Sequence, residues 1–188
     1  MLTDPLRYMG KKASQYEAKR SHTRKWRLEH DAVASLLPDA ESVLDVPVGT
    51  GRFFPLYDGM RVTGVDISPD MLAEARKRGF KDLHLGDIRD MRFADGRFDV
   101  AVCMRLLNWL TPSDRAQAVK ELSRVASILI VGLRAHRDYP TCKGRLWVHS
   151  LAYCREIIAD SGLLIDGDVN LRGGTYSIYR LCHKPPCA

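Results

Sequence analysis

The spacing of hydrophobic and polar positions changes repeatedly along this chain of 188 residues. From position 42 onward, short apolar runs bounded by turn residues alternate with stretches in which apolar positions recur every three or four residues. The first pattern predicts strands and the second predicts amphipathic helices. Because strand–helix alternation builds parallel sheets with right-handed crossovers, the chain is predicted to have an α/β fold with a doubly wound sheet.

The first part of the predicted sheet has five strands separated by helices. The strands are predicted at residues 42–46, 61–66, 81–87, 97–104 and 126–133. Two of the helices carry clear start signals, since Ser68 and Thr111 are N-cap residues followed directly by proline. Gly79 is predicted to end the first of these helices, and Asp114 takes the capping-box position of the second. The segment 50–57 is also predicted to turn into a helix.

The C-terminal part breaks the alternation. A helix is predicted between Ser150 and Gly162, but the apolar runs at 163–169 and 175–181 then follow one another with no helix between them. Two successive strands joined by a short turn form a hairpin, so one strand of the sheet is predicted to be antiparallel. The preceding segment, residues 134–149, is predicted to be a loop. This ending argues against a standard dinucleotide-binding dehydrogenase.

The N-terminal residues are predicted to form helices that cover the sheet. Residues 11–37 have a helical pattern that is broken near 21–23, and Trp26, Val33 and Leu37 lie at helical spacing. That spacing predicts that these three side chains pack onto the main body. The chain is predicted to be one domain, made of a helical lid and an α/β core: residues 1–188, with the lid at 1–40 and the core at 41–188.

The net charge of +6 is concentrated near the N-terminus. Between Arg7 and Arg27 there are eight basic residues and a single acid, Glu17. Two interpretations of this segment stay open, a solvated helix face and a docking surface for an acidic or phosphorylated partner. The basic balance also keeps nucleic acid open as a partner, although it is not favoured because no array of stacking aromatic residues accompanies the basic ones.

Cysteine usage and hydropathy exclude several other classes. The five cysteines are widely spaced and include no C-x-x-C pair, so the sequence predicts no metal site and suits a reduced compartment. No apolar run approaches the roughly 20 residues that cross a bilayer. The charged N-terminal stretch is also unlike a signal peptide. The sequence therefore predicts a cytoplasmic protein with no membrane span.

Candidate binding residues recur where three successive strands end. The first strand leads into "VLDVPVGTGRFF", in which Gly49 and Gly51 allow a tight turn and close approach of a ligand. Asp66 ends the second strand, where a carboxylate can accept hydrogen bonds from both hydroxyls of a ribose. Asp87 follows the third strand and can accept from an adenine amino group, and Ile88 offers an apolar contact. Since ligands of open α/β sheets bind at these strand ends, the set predicts an adenosine-containing cofactor.

The cofactor is not predicted to be a dinucleotide. In the pattern G-x-G-x-x-G the third glycine is replaced by Phe54, and no G-x-x-x-x-G-K-[ST] phosphate loop is present. The segments "VLDVPVGTGRF", "VTGVDISPDML" and "GDIRDMRFADGRFDVAVC" instead resemble the class I S-adenosylmethionine-dependent methyltransferases, over roughly residues 42–133. The segment after the fourth strand, "CMRLLNWL", looks like that of the ubiquinone-biosynthesis type and other small-molecule methyltransferases.

The resemblance implies a fold, a cofactor and a set of site residues. The fold is a Rossmann-like, mostly parallel sheet of seven strands with an antiparallel last strand and an N-terminal helical lid, and the cofactor is S-adenosyl-L-methionine. By resemblance, the methionine portion lies at Asp45 and the glycine turn, the ribose at Asp66, adenine at Asp87 and Ile88, and the reacting end at Met104 and Arg105. The remaining expected cofactor contacts are Pro47, Ile67 and Met71, with Tyr16, Arg20 and Arg24 from the lid.

Pro47 is the main departure from the family pattern, because many members have glycine there. Proline fixes φ near −65° and cannot donate a backbone hydrogen bond. We therefore expect ordinary extended geometry at Pro47, with Gly49 and Gly51 making the close approach to the cofactor.

Fewer sequence features point to the residues that would bind the methyl acceptor. The segment after the fourth strand lacks the [DN]-P-P-[YFW] motif of amino-methylating nucleic-acid enzymes. Asn108 is a candidate to orient an acceptor and Trp109 to wall its pocket, and the alternative is a helix cap and a core residue. Candidate catalytic bases are His136, Tyr139 and His149, which can equally be exposed or capping residues.

The loop after the fifth strand carries four basic residues: Arg134, Arg137, Lys143 and Arg145. If the basic N-terminal helices fold over the same entrance, a small anionic acceptor is predicted, methylated by in-line displacement. Two alternatives stay open, a nucleic-acid methyltransferase and a catalytically silent protein that binds S-adenosylmethionine.

Overall fold

The structure is a computed structural model that describes residues 15, 23–136, 141–143, 146–171 and 175–183. Side chains are described for these residues except at 135–136, 141–143 and 146–154. The strands are β1 Ser42–Asp45, β2 Arg61–Asp66, β3 Asp82–Leu85, β4 Phe98–Cys103, β5 Ala126–His136, β6 Thr141–Lys143, β7 Leu146–Ser150, β8 Leu163–Leu171 and β9 Tyr176–His183. The helices are α1 Arg24–Leu36, α2 Pro69–Lys77, α3 Pro112–Val125 and α4 Leu151–Asp160.

Seven of these strands form the central sheet in the order β3-β2-β1-β4-β5-β9-β8. The strands β1 to β5 pair in parallel, whereas β9 runs antiparallel to both of its neighbours. The pairing of Leu129 with Leu181 fixes the register between β5 and β9. The doubly wound sheet with an antiparallel last strand is therefore confirmed, including the hairpin between β8 and β9.

The prediction of a loop over residues 134–149 is wrong. The last residues of β5 extend beyond the sheet, and Ala135 pairs with His149 of β7, which forms a short hairpin with β6. The segment "LWVHS" combines a β-branched and an aromatic residue, which favour a strand. The basic residues around it made the segment look like a solvent-exposed connection.

Local capping chemistry explains where the helices begin. The hydroxyl of Ser68 accepts a hydrogen bond from the Met71 N–H at 3.3 Å, and Thr111 accepts from the Asp114 N–H at 3.2 Å. Both predicted N-caps are confirmed, and Gly79 follows the last turn of α2 with φ +114°. At α1, Thr23 caps the helix start, which agrees with the predicted break near residues 21–23.

The helix expected within residues 50–57 is reduced to a single 3-10 turn, Phe54–Leu56. Pro55 lies within this turn and has no N–H to give to a longer helix. The turn closes with the Tyr57 N–H donating to the Phe54 carbonyl, and the chain then enters β2. The reversal leaves too few residues for a further helical turn.

The sheet separates two buried clusters, and β4 contributes to both of them. Ala101 belongs to one cluster and Val100 to the other, and both are fully buried. Helix α1 packs on the second cluster through Val33, as predicted, and Leu37 is partly buried against it. Trp26 is half-buried and stacks on the ring of His30. Within the ranges described above, no helix has the length and apolarity needed to cross a bilayer.

Candidate functional site

The carboxyl ends of the first four strands surround one cleft. The lining comes from the residues after β1, the end of β2, the residues after β3 and the short segment after β4: Val46, Pro47, Asp66, Ile67, Gly86, Asp87, Ile88, Leu106 and Leu110. Most of these side chains are apolar, and the two carboxylates stand on neighbouring strands. A few polar groups in an apolar cleft at this edge of the sheet are typical of a cofactor site.

The glycine turn after β1 has backbone conformations that favour glycine. Gly49 and Gly51 have φ values of +55° and +73°. A Cβ atom on Gly49 would meet no other atom within 4 Å, whereas one on Gly51 would lie 3.0 Å from the Phe80 ring and 3.1 Å from the Ala75 Cα. The first glycine therefore faces open space and the second allows close packing of the turn against α2.

Pro47 does not have the ordinary extended geometry expected from the sequence. The Val46–Pro47 peptide bond is cis and both residues lie in a turn. Pro47 nevertheless lines the cleft as expected of a contact residue. The Val48 N–H that follows donates to the Val65 carbonyl at 2.8 Å, which returns the chain to the sheet.

Asp66 joins two of the strand ends. Its Oδ2 accepts from the Gly49 N–H and its Oδ1 accepts from the Ser68 N–H, both at 2.9 Å. Burial raises the pKa of Asp66, and the backbone hydrogen bonds oppose that effect. Each carboxylate oxygen has more than one lone pair, so these bonds leave acceptor capacity for a ligand hydroxyl. The sequence identified this residue but not its second task of holding the glycine turn.

Asp45 is buried beneath the same turn. The Tyr57 hydroxyl donates to its Oδ2 at 3.1 Å, and burial raises the pKa of Asp45 to about 8 although this hydrogen bond lowers it. The neighbouring Cys103 thiol is also fully buried, which raises its pKa. Asp45 is therefore protonated over most of the neutral range when nothing is bound.

Asp87 stands at the cleft with a partner that the sequence analysis missed. The Arg89 guanidinium donates to both oxygens of Asp87, with its Nη2 at 2.7 Å from Oδ2, and also reaches Asp114 at 2.5 Å. The hydrogen bonds from Arg89 lower the pKa of Asp87, so its carboxylate is charged. Ile88 is buried and Ile67 is exposed, and both line the cleft.

The residues after β4 meet helix α1. Arg105 has φ +65°, a left-handed conformation that is uncommon for a residue with a side chain. Its Nε donates to Glu29 Oε2 at 2.8 Å, and Arg52 Nη2 donates to the same oxygen at 2.7 Å. Glu29 and Arg52 are not among the predicted site residues. The signal was present, because Glu29 shares helical spacing with Ala32, Val33 and Leu36 on the buried face.

The predicted acceptor residues have mainly structural contacts. The Asn108 amide accepts from the Arg134 N–H at 2.7 Å and donates to the Arg134 carbonyl at 3.2 Å. These bonds tie the segment after β4 to β5 and favour the structural interpretation of Asn108, while Trp109 is half-buried beside it. A role for either residue in orienting an acceptor stays a prediction.

The candidate bases and lid residues are only partly covered by the description. His136 and His149 lie on the paired strands β5 and β7, one position apart in register, and their side chains are not described. Tyr139, Tyr16 and Arg20 lie outside the described residues. Two further cofactor candidates are described: Arg24 is exposed at the start of α1, and Met71 is buried in the first turn of α2.

Comparison with known proteins supports the resemblance to methyltransferases. A protein-family profile for a methyltransferase domain matches residues 44–127. The phosphatidylethanolamine N-methyltransferase of Cereibacter sphaeroides is 40% identical to the chain over 91 residues, which cover 44% of each protein. The demethylmenaquinone methyltransferase of Chlorobaculum parvum is 40% identical over 88 residues, covering 44% of this chain and 35% of the relative. The matched segment thus spans less than half the length of these relatives.

A solved structure from Thermotoga maritima, described as an S-adenosylmethionine-dependent methyltransferase and possible histamine N-methyltransferase, has the same fold. Its TM-score is 0.75 at 21% identity, covering 96% of this chain and 99% of that one. At this identity the likeness shows the shared fold. Membership of the class I S-adenosylmethionine-dependent methyltransferases, and S-adenosyl-L-methionine as the cofactor, stay predictions that the profile match supports.

The residues present fit that cofactor. The open space at Gly49 leaves room for a ligand above the glycine turn, where any side chain would intrude. Asp66 and Asp87 both line the cleft, and their predicted roles toward ribose hydroxyls and an adenine amino group need carboxylate acceptors. Ile67 and Ile88 line the same cleft and offer apolar surface to a ligand. The oxygens of both carboxylates already have protein partners, which are backbone N–H groups at Asp66 and the Arg89 guanidinium at Asp87.

Proposed function

We propose that the chain transfers a methyl group from S-adenosyl-L-methionine to a small anionic acceptor by in-line displacement. The observation that supports this proposal most directly is a pair of guanidinium groups on two segments that adjoin the cleft. Arg52 directly follows the glycine turn, and Arg105 directly precedes Leu106, which lines the cleft. Both side chains are partly exposed, at 12% and 16%, so an entering anion can approach them.

The chain's own residues have three tasks in this reaction. When bound, the cofactor supplies a methyl group on a positively charged sulfur. Asp66 and Asp87 hold the nucleoside end, and the Gly49 turn lets the backbone approach the remainder closely. Holding two reactants in line supplies about 7–11 kcal/mol of barrier reduction in well-oriented cases. Positioning is therefore sufficient for an acceptor that has no proton to lose.

An acceptor that must lose a proton needs a base. His136, Tyr139 and His149 remain the candidates, and the two histidines lie on strands β5 and β7, which extend beyond the sheet on the same side as the cleft. A base would appear as a pH dependence of the rate that disappears in the corresponding glutamine or phenylalanine variant. Action in the cytoplasm also stays a prediction of the sequence.

The names of the relatives also support an acceptor other than nucleic acid. They refer to phosphatidylethanolamine and demethylmenaquinone. The net charge of +6 is the one observation that favours nucleic acid. A catalytically silent protein is the other alternative, because a fold holds sites of many functions.

The test is methyl transfer from labelled S-adenosylmethionine to an acceptor panel. The panel contains carboxylic acids, phosphate esters, matched neutral amides and alcohols, and short DNA and RNA duplexes. We expect label to enter an anionic small molecule, with a KM that rises as salt screens the charges. Label in the duplexes would support the nucleic-acid alternative. Cofactor binding without transfer to any panel member would favour the silent protein.

A further inference from the structure

Three ionised side chains meet next to the candidate cofactor cleft, and their charges do not cancel. Glu29 is a single carboxylate with 2% of its side chain exposed, and it faces the guanidinium groups of Arg52 and Arg105. Although burial raises the pKa of Glu29, the two arginines outweigh it and lower the pKa overall. The carboxylate is thus charged, and the cluster has one excess positive charge in a largely buried place.

Tyr176 adds an unused hydrogen-bond donor to this cluster. The residue is 5% exposed, and its hydroxyl has no hydrogen-bond partner among the described residues. Burial raises the pKa of Tyr176, the charge of Glu29 raises it further and the charges of Arg105 and Arg52 oppose this, so the phenol keeps its proton. A buried hydroxyl without a partner costs free energy, and such a group in a native structure points to a ligand or a water that it serves.

The backbone around this hydroxyl is adapted to it. A Cβ atom at Gly132 of β5 would collide with the Tyr176 oxygen, so only glycine leaves room for the phenol at this place. The left-handed backbone of Arg105 likewise directs that side chain toward Glu29. Arg52 donates one hydrogen bond to Glu29 and stacks on the Phe53 ring, which leaves its Nε and Nη1 as donors.

We propose that Arg52, Arg105 and Tyr176 form a subsite for one carboxylate group of a bound small molecule, with Glu29 as its fixed counter-charge. A single negative charge neutralises the excess positive charge, and the Tyr176 phenol and the Nε and Nη1 of Arg52 satisfy the carboxylate oxygens. A doubly charged group would leave an excess negative charge next to buried Glu29, which is unfavourable. The subsite therefore selects carboxylates over phosphate dianions.

Two molecules can supply this carboxylate, and the inference rests on the proposed function for both. One is the amino-acid end of the cofactor, since Arg52 follows the glycine turn. The other is the methyl acceptor, since Arg105 lies where the reaction is expected. The chemistry is the same in each case, and the two sources make different predictions for binding experiments on the full chain.

The first arm compares S-adenosylhomocysteine with its decarboxylated analogue by calorimetry. If the cofactor supplies the carboxylate, we expect the analogue to bind about tenfold or more weakly to the wild type. Arg52→Gln and Tyr176→Phe should then remove most of that difference, because they lower the affinity for S-adenosylhomocysteine and leave the affinity for the analogue unchanged. Arg61→Gln is the matched control, because Arg61 pairs with Glu41 at the exposed surface.

The second arm uses propionate and its neutral isostere propionamide, titrated into protein saturated with S-adenosylhomocysteine and followed by NMR. If the acceptor supplies the carboxylate, propionate should bind more tightly than propionamide, and Arg52→Gln and Tyr176→Phe should remove the preference. Inorganic phosphate is expected to bind more weakly than propionate. Tighter phosphate binding would contradict the selection for a single charge.

The variants are chosen so that misfolding does not obscure the result. Tyr176→Phe removes only an unpaired hydroxyl, so the variant is expected to be at least as stable as the wild type. The proposal is overturned if no carboxylate preference in either arm depends on Arg52 or Tyr176. If neither nucleoside binds the wild type, the proposed function fails, and propionate titrated into the ligand-free protein still tests the subsite.

Discussion

Arg105 and Glu29 form a buried ion pair although 76 positions separate them in the sequence, with the Arg105 Nε 2.8 Å from Glu29 Oε2. The contact joins helix α1 to the segment after β4, and the bond from Arg52 to the same carboxylate adds the glycine turn. One side chain therefore connects the covering helix with two loops of the cofactor site. We expect both the stability of the domain and the geometry of the site to depend on it.

Replacing Glu29 by Gln should destabilise the domain strongly. The change keeps the shape of the side chain and leaves two guanidinium groups facing each other without their carboxylate. Breaking a buried pair from one side costs about 3–5 kcal/mol, and the partial exposure of the arginines points to the lower end of that range. The measurement is the free energy of unfolding in urea at neutral pH.

Glu41→Gln provides the control for this experiment. Glu41 pairs with Arg61 at 3.3 Å, and both side chains are mostly exposed, so its loss should cost less than about 1 kcal/mol. Equal, small losses for the two variants would contradict the structural role of Glu29. A double-mutant cycle with Arg105→Gln should show coupling, because the two residues share one hydrogen-bonded network.

Changing each glycine of the turn to alanine should affect a different property, stability for Gly51 and cofactor affinity for Gly49. Gly51→Ala places a Cβ against Phe80 and Ala75 at positive φ, so we expect a loss of about 2 kcal/mol in unfolding free energy. Gly49→Ala meets no protein atom, so its cost is limited to the backbone conformation. Its new methyl group instead fills space expected to belong to the cofactor, and S-adenosylhomocysteine affinity should fall more than about tenfold.

Calorimetry and urea unfolding on the same two preparations distinguish these effects. Each variant serves as the control for the other, since both introduce one methyl group at a left-handed position two residues apart. Wild-type affinity in Gly49→Ala would show that the open space beside this glycine is not part of the cofactor site.

Those parts of the fold and site that depend on local chemistry could be predicted from the sequence. A few neighbouring residues suffice to predict the helix caps at Ser68 and Thr111 and the glycine turn. Asp66 is predicted because it is the last residue of a regular apolar strand.

The helical spacing places Glu29 on the buried face of α1, but its pairing with Arg52 and Arg105 could not be predicted, because these residues lie far apart in the sequence and meet only when the sheet is assembled. The local rules also failed at Pro47, since proline is compatible with either peptide isomer and the surrounding turn decides between them.

Asp66→Ala should affect both stability and cofactor binding. The change removes the acceptor of two backbone N–H groups, and hydrogen bonds to charged groups contribute about 1.5–3 kcal/mol each. We expect a loss of about 3 kcal/mol in unfolding free energy and at least about a tenfold loss in S-adenosylhomocysteine affinity. Asp58→Ala, at an exposed position shortly before β2, is the control. Unchanged stability in Asp66→Ala would contradict its role in holding the Gly49 turn.

Asp45 should give the stability of the domain a distinctive pH dependence. Burial raises its pKa in the folded state from 3.8 to about 8, so the native protein keeps a proton that the unfolded chain releases. The contribution of Asp45 to stability is therefore complete below about pH 4 and is lost progressively as the pH rises to about 8. Asp45→Asn is neutral at every pH and lacks this effect. The difference in unfolding free energy, variant minus wild type, should rise across that interval in ligand-free protein.

Tyr57→Phe tests the cause of this behaviour, because it keeps the ring and removes only the hydroxyl that donates to Asp45 at 3.1 Å. That hydrogen bond lowers the pKa of Asp45, so its removal should extend the pH-dependent interval upward. Glu29 also has a shifted pKa, and it is common to all three proteins. Asp66 contributes to the raised pKa of Asp45, so Asp66→Asn in the same background is measured beside them. A constant difference between Asp45→Asn and the wild type from about pH 4 to about pH 8 would mean that Asp45 is already ionised in the fold.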